Sequence, residues 1–354
     1  MGAFEEQAGK VSAQVFKQDL LPGLGAERSE VICGPAFGVD TAVIDLGGGE
    51  ALAVSSDPLS LIPSLGMKVS AWLSVHLLAN DMSTTGFAPQ YAQFVLNLPV
   101  NLTRAHFNEY WQLIHQLCQE SGIAITGGHT GQIPGQESTI SGGGTMFLKA
   151  PKDQILSSNG AQPGDCVIVT KHAALSSTAL LAMAFPETVS QHCGSEVQKE
   201  VANHFWKLSV MQEALLAAEI LQPHRELRAM HDVTEGGILG ALEEMADASN
   251  CGFHVETEKL PINAAVQAVA DLFEIDPFLS VGAGSMLMAV KSGTENKLIG
   301  HLTKAGIAAT AIGHLSGDGK KELVQKDGSA KPFHFDGVDP YWGAFFKAYQ
   351  AGWK

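Results

Sequence analysis

Residues 72–86 read WLSVHLLANDMSTTG, a run of helical length in which Asn80 and Asp81 sit among apolar neighbours. Trp72, Leu73, Leu77 and Leu78 offer the surface for burial, and the pattern predicts a helix from about Lys68 to Thr85. A buried amide beside a carboxylate is costly unless both are hydrogen-bonded or bound to an ion. The pair therefore points to an ion or ligand at the end of a core helix. His76, one turn earlier on the same face, reads as a hydrogen-bonded structural residue rather than a metal ligand.

Outward from this helix, strands and helices alternate. Upstream, EVICGP, TAVIDL and GGGEALAVSSD are apolar runs parted by glycine turns, as strands require. Downstream, YAQFVLNLP reads as a strand and LTRAHFNEYWQLIHQLCQESG as an amphipathic helix ending at Gly122. IAIT is a strand running into a Gly127–Gly128 turn, and STISGGGTMFLKAP a glycine-interrupted strand. The polar stretch ILSSNGAQPGD marks a boundary near residue 155. Beyond it come the strand CVIVTK, the helix ALSSTALLAMAF, helical spacing from Val197 to Leu221, and RAMHDV leading into TEGGILGALEEMADAS. The expected fold is α+β in two domains: a strand-rich one over 1–154 and an α/β one over 155–325. A segment over 326–354 follows. The last 22 residues hold eight of the chain's 25 aromatics, so they are expected to pack on the body or on a partner subunit.

Composition narrows the partners. The formal net charge of −15 repels nucleic acid and anionic lipid, although a bound divalent cation can invert the charge locally. Five widely spaced cysteines, Cys33, Cys118, Cys166, Cys193 and Cys251, form no zinc or redox pair and read as reduced thiols of a cytoplasmic protein. MGAFEEQAGK has neither a basic nor an apolar region of a secretory signal, and Glu6 stands where myristoylation wants Ser or Thr. No uncharged apolar run reaches the ~20 residues that span a bilayer.

Four places besides the central helix could carry chemistry. Asp40 in GPAFGVDTAVIDL precedes an apolar strand, and Asp57 in ALAVSSDPL ends one; each suits a site or a plain turn. In IAITGGHTGQIPG, the side-chain-free backbone at Gly127 and Gly128 can approach a phosphate, while His129 and Thr130 could touch a ligand or cap the turn. In HDVTEGGILGALEEMA, Asp232 followed by Glu235 suits a helix N-cap, an end that favours anions but also serves as ordinary capping. P-loop, H-E-x-x-H and G-x-S-x-G motifs are absent.

These segments, in this order, resemble the superfamily of aminoimidazole ribonucleotide (AIR) synthetase, thiamine-monophosphate kinase, selenophosphate synthetase and HypE, and most nearly its HypE-like branch. GVDTAVI is similar to the family's G-D-D-A-A-V turn, SSDPL to its T-T-D strand end and ANDMSTTGFAPQY to its V-N-D-L-A-x-x-G-A-x-P helix. TGGHTGQIPG and MHDVTEGGILGALEEMA are similar to later blocks, so the likeness spans roughly residues 30 to 290. It implies a PurM-like N-terminal ATP-binding domain that pairs across a homodimer as a β-barrel, with a PurM-like α/β domain beside it. It further implies ATP and Mg2+ as cofactors, with Asp40, Asp57, Asp81 and Asp232 meeting the metal–phosphate cluster. Asn80, Gly127, Gly128, His129 and Thr130 would lie on the nucleotide side. The implied activity is phosphoryl transfer or ATP-driven activation of a small molecule; the alternative is a nucleotide-binding maturation or scaffold protein with little turnover. Departures bear on that choice. Val39 replaces the family's first acidic turn residue, GGH is similar to the selenophosphate synthetase form, and AGWK lacks HypE's terminal cysteine.

Overall fold

Period-two burial in the strands and all-round burial of one helix organise the molecule. The computed structural model describes residues 9–135 and 140–354. The stretch before Gly9, and Ser138 and Thr139 of the glycine-interrupted strand, lie outside the described residues. The first half runs α1 (Ala13–Val15), β1 (Val31–Cys33), β2 (Ala42–Gly47), β3 (Glu50–Ser60), α2 (Gly66–Ser83), β4 (Tyr91–Leu98), α3 (Arg104–Glu120), β5 (Ala124–Gln132) and β6 (Ile140–Pro151). Its six strands form one sheet in the order β1-β2-β3-β6-β4-β5, antiparallel except for β4–β5.

One face of this sheet, carrying Ala53, Phe94, Met146 and Leu148, packs on Ala71, Val75, Leu78 and Met82 of α2. The other flank of α2 presents Val69 and Leu73 to Leu175, Phe205 and Leu208 of the second half. The helix is apolar all round because it lies between two bodies rather than on a surface. Beside it, α3 is capped by Thr103 and buries Tyr110, whose hydroxyl lies 2.8 Å from Ser74 Oγ.

The second half comprises β7 (Cys166–Thr170), α4 (Leu175–Ala184), α5 (Pro186–Cys193), α6 (Ser195–His204), α7 (Met211–Ile220), β8 (Leu227–Asp232), α8 (Gly237–Ala248), β9 (Gly252–Glu256), α9 (Ala264–Leu272), β10 (Met286–Val290), α10 (Glu295–Lys304), β11 (Ala309–Ser316), β12 (Lys321–Val324), β13 (Ala330–Pro332) and α11 (Pro340–Gln350). Its sheet runs β13-β12-β9-β11-β7-β10-β8. In β10, Leu287 and Ala289 face Ile238, Leu242 and Met245 of α8. Met286, Met288 and Val290 face Ala214 and Ala217 of α7 and Leu298 and Leu302 of α10. The expected α+β architecture, a strand-rich half followed by a sheet flanked by helices, is the observed one.

Four local expectations differ. The glycine pair is no turn, because β5 continues through Gly127 and Gly128 to Gln132, paired with β4. Asp57 does not end its strand, because β3 runs on through Pro58 to Ser60 against β6. Helical spacing over 197–221 is broken at 205–210 between α6 and α7, where the chain meets α2. Asp232 does not cap α8: it ends β8, and the residue before α8 is Gly236, which has no side-chain cap.

Candidate functional site

Three aspartates reach the junction from the first half, each by a different local device. Asp40 lies in the loop before β2, where Gly38 (φ +80°) fits so closely against α8 that a Cβ would stand 2.6 Å from Glu244 O. Asp57 shares the inward parity of Ser55 on β3. Asp81, near the end of α2, accepts a hydrogen bond from Ser55 Oγ at 2.8 Å. From the second half, the buried end of β8 contributes His231 and Asp232.

The cluster is densely connected. His231 Nδ1 lies 2.7 Å from Asp40 Oδ1, and its Nε2 lies 3.3 Å from Glu244 Oε2. Ser158 Oγ donates to Asp40 Oδ2 at 2.9 Å. Lys10 arrives from the N-terminal segment; its stem is open to solvent, but its ammonium donates to both Glu244 oxygens at 3.0 and 2.9 Å. Both ring nitrogens of His231 are thus engaged by carboxylates, so the imidazole holds Asp40 and Glu244 rather than offering a free ligand atom. Asp232 Oδ2 is buried with no hydrogen-bond partner.

Electrostatics mark the cluster as short of positive charge. Burial, reinforced by Asp40, pushes the Asp232 carboxyl up to about 8 against the pull of His231 and Lys10. Burial also raises Asp57 to about 6, with Lys10 opposing and Glu235 adding to the rise. Asp81 is held well above the usual range by burial and then by Asp232, Asp57 and Asp40. Burial works against the positive charge of His231, yet Asp40 and Glu244 hold that group well above its ordinary value. The carboxylates of Asp40 and Asp232, one oxygen of which is unpartnered, are donors of the kind a hard divalent cation such as Mg2+ prefers. Ligand atoms of Asp40, His231 and Asp232 lie within 4.8 Å of one another.

The remaining candidates are not brought to this cluster. Asn80 is fully committed elsewhere: its Nδ2 donates to Leu208 O at 2.8 Å and its Oδ1 accepts from Val210 N at 2.9 Å. It clasps the two halves. Gly128 lies on the same cross-sheet row as Asp57, through Phe94 and Gly144, but three strand spacings away, about 14 Å. A Cβ at Gly128 (φ +143°) would stand 1.8 Å from Phe94 O, so strand packing alone demands glycine there. His129 and Thr130 follow it along this exposed edge strand. His76 is buried with both ring nitrogens unpartnered, its ring centroid 4.0 Å from that of Trp72 and the two planes tilted by 46°; the expected hydrogen bond is not made.

Comparison with known proteins follows the same division into halves. Residues 38–147 match the model for the N-terminal domain of AIR synthase related proteins, and residues 162–326 match that for the C-terminal domain. The chain belongs to the AIR synthase related family. A relative from Methanocaldococcus jannaschii, named for hydrogenase expression/formation, is 24% identical over 320 residues, covering 90% of this chain and 91% of that one. Among solved structures, HypE in complex with ATP superposes with a TM-score of 0.66 at 16% identity, over 94% of this chain and 97% of that one. A HypE–HypF complex gives 0.68 at 15% identity, over 90% and 99%. At these identities the structures establish a shared fold. Asp40, Asp57 and Asp81 fall inside the first matched domain of this AIR synthase related chain, and Asp232 inside the second. Lys10, His231 and Glu244 escaped the sequence reading, and Glu235 was read only as part of a helix N-cap. His231 and Glu244 lay within the HDVTEGGILGALEEMA block, but nothing in the spacing around Lys10 signalled a site.

Proposed function

We propose that this chain is a cytoplasmic, ATP- and Mg2+-dependent enzyme that transfers a phosphoryl group to, or uses ATP to activate an oxygen of, a small molecule. Supporting this reading, Asp40 and Asp232 come from different halves with ligand atoms within 4.8 Å of one another, Asp232 Oδ2 has no partner, and the charges of Asp40, Asp57 and Asp232 all act on the buried Asp81. These four would hold the metal, which when bound neutralises charge developing on a transferring phosphate. Lys10 supplies a second positive charge at the same place, and His231 keeps Asp40 and Glu244 in position. A HypE of the same fold has been solved with ATP, which supports the nucleotide reading. Five free thiols suit a reducing compartment, and no helix among the described residues is long and apolar enough to cross a membrane. The domain limits proposed are 1–154, 155–325 and 326–354.

The chain is further proposed to be a homodimer. The face of the first sheet opposite α2 carries a cross-strand row of Val54, Phe147 and Tyr91, with Val31 and Val95 nearby. Tyr91, Val31 and Val95 are 39–41% exposed, and an apolar sheet face of this kind marks an interface. The test of function is a melting curve with and without Mg·ATP, followed by assay for ADP or phosphate release with candidate acceptors. Absence of any shift at millimolar ATP would sink the nucleotide reading.

A second reading, a nucleotide-binding maturation partner with little turnover, is favoured by Val39, which leaves one fewer carboxylate in the Asp40 loop. The solved HypE–HypF complex shows that a protein of this fold can assemble with another. Nucleotide binding without turnover, together with one stable co-purifying protein, distinguishes this reading.

A further inference from the structure

The aromatic C-terminal segment does more than cover the core. Its α11 is capped by Asp339, a residue only 7% exposed, whose Oδ1 accepts from Tyr341 N at 2.9 Å. The other oxygen of the same carboxylate accepts from Gly236 N at 2.8 Å, in the turn between Asp232 and α8. Next to it, Trp342 Nε1 donates to Glu235 Oε1 at 3.2 Å. Glu235 Oε2 accepts from the backbone N–H of Lys10, so the two chain ends are fastened to the two oxygens of one side chain. Upstream, Phe335 N donates to Glu243 Oε2 at 2.6 Å, and His334 Nδ1 lies 3.0 Å from Glu243 Oε1. The Phe335 ring closes on Gly236, where a Cβ would stand 2.8 Å from it.

The turn needs this support. Gly236 and Gly237 are consecutive left-handed residues (φ +82° and +62°), a conformation in which glycine has the most freedom to lose. No side chain of the turn caps α8, and Gly237 N reaches Thr234 O only at 3.3 Å. Asp232, with its unpartnered oxygen, lies four residues before Gly236.

We propose that residues 333–342 form a wall of the carboxylate site, in which Asp339 and Trp342 are positioning residues that hold the Glu235–Gly237 turn for a metal-bound phosphate. The inference rests on the Mg·ATP reading of the site and extends it to a segment beyond both matched family domains. Asp339 and Trp342 touch no reacting atom. They act through the Gly236 amide and Glu235, and through Glu235 on the seat of Lys10.

Two conservative variants of the full chain test it. Trp342→Phe removes one N–H and keeps a ring; Asp339→Asn keeps one acceptor for the helix cap and sets an amide against Gly236 N. Two quantities are read: amide hydrogen exchange over residues 233–240, and the Kd for Mg·ATP by calorimetry. The expected result is exchange at Gly236 faster by about tenfold and a Kd raised by about tenfold in Asp339→Asn, the worth of one such bond. A smaller change of the same sign is expected in Trp342→Phe, with melting temperatures near that of the parent. Unchanged exchange overturns the proposal, and so does faster exchange with an unchanged Kd, since the segment would then be structural only. A parent chain that binds no Mg·ATP sinks the nucleotide reading and with it the claim that the turn serves a phosphate. The exchange data would still decide whether the segment holds the turn.

Discussion

Asp232 is buried at the end of β8 with one carboxylate oxygen that no group hydrogen-bonds. Its carboxyl is raised to about 8 by burial and by Asp40, so near neutral pH it is held mostly protonated in the metal-free protein. Asp232→Asn therefore resembles the state already populated, and its stability in urea should stay within about 1 kcal/mol of the parent. The same substitution should abolish the stabilisation by Mg·ATP, because a neutral amide cannot neutralise the cation. Retained stabilisation in the variant would remove Asp232 from the ligand set. Lys10 behaves in the opposite way. Lys10→Met leaves the buried Glu244 with His231 as its remaining charged partner and should cost about 1–2 kcal/mol, the lost bond being charge-assisted but open to solvent on one side. A chemical denaturation curve unchanged from the parent would show that the N-terminal segment is not seated there in solution.

At the scale of elements, α2 unites the two halves. Its Asn80 takes a carbonyl and an N–H from the 205–210 segment, both buried, where α6 gives way to α7. Asn80→Ala leaves both groups without partners and opens a small cavity, so a loss of about 2–4 kcal/mol is expected by equilibrium denaturation. Nucleotide affinity should change little if the amide only clasps the halves, and a selective loss of affinity would instead return Asn80 to the nucleotide side. The sequence made this helix legible by its length and apolar character. It could not say that the polar pair divides, Asn80 to the interface and Asp81 to the carboxylates, because that depends on which body meets each flank of the helix. The β5 glycines show the same limit: a Gly-Gly pair after an apolar run reads as a turn, yet edge pairing with β4 keeps it extended.

Over the whole molecule, the shared burial of the carboxylates sets a pH dependence. Asp57 and Asp232, at about 6 and 8, hold protons in the folded chain that an unfolded chain, with carboxyls near 3.8, releases. Where the folded state binds more protons, stability falls as pH rises. Bringing the metal-free protein from about pH 9 to about pH 6 should raise its Tm by roughly 3–6 °C. Asp81, raised by burial and by its carboxylate neighbours, shifts in the same direction, while Glu244 is held ionised beside Lys10 and His231. Mg2+ should flatten the profile by stabilising the alkaline end most; an equal shift at every pH would place the ion elsewhere. The proposed dimer is tested at the same scale. Tyr91→Lys with Val95→Lys should turn a dimer into a monomer in sedimentation while leaving the fold intact, since both side chains point out of the sheet.

The sequence alone gave away most of the elements, their order and the family, and it singled out four aspartates as candidates, because periodicity and turn chemistry are local and the blocks are contiguous. The pairing of those aspartates with other groups was decided by the tertiary structure. Asp40 and His231 are 191 residues apart, Lys10 and Glu244 are 234 apart, and Asp339 and Gly236 are 103 apart. Contacts at such separations arise from how two sheets and their flanking helices pack, which no window of the chain encodes. WLSVHLLANDMSTTG announced a buried helix with a costly polar end. Packing between two bodies fixed what each polar residue there meets.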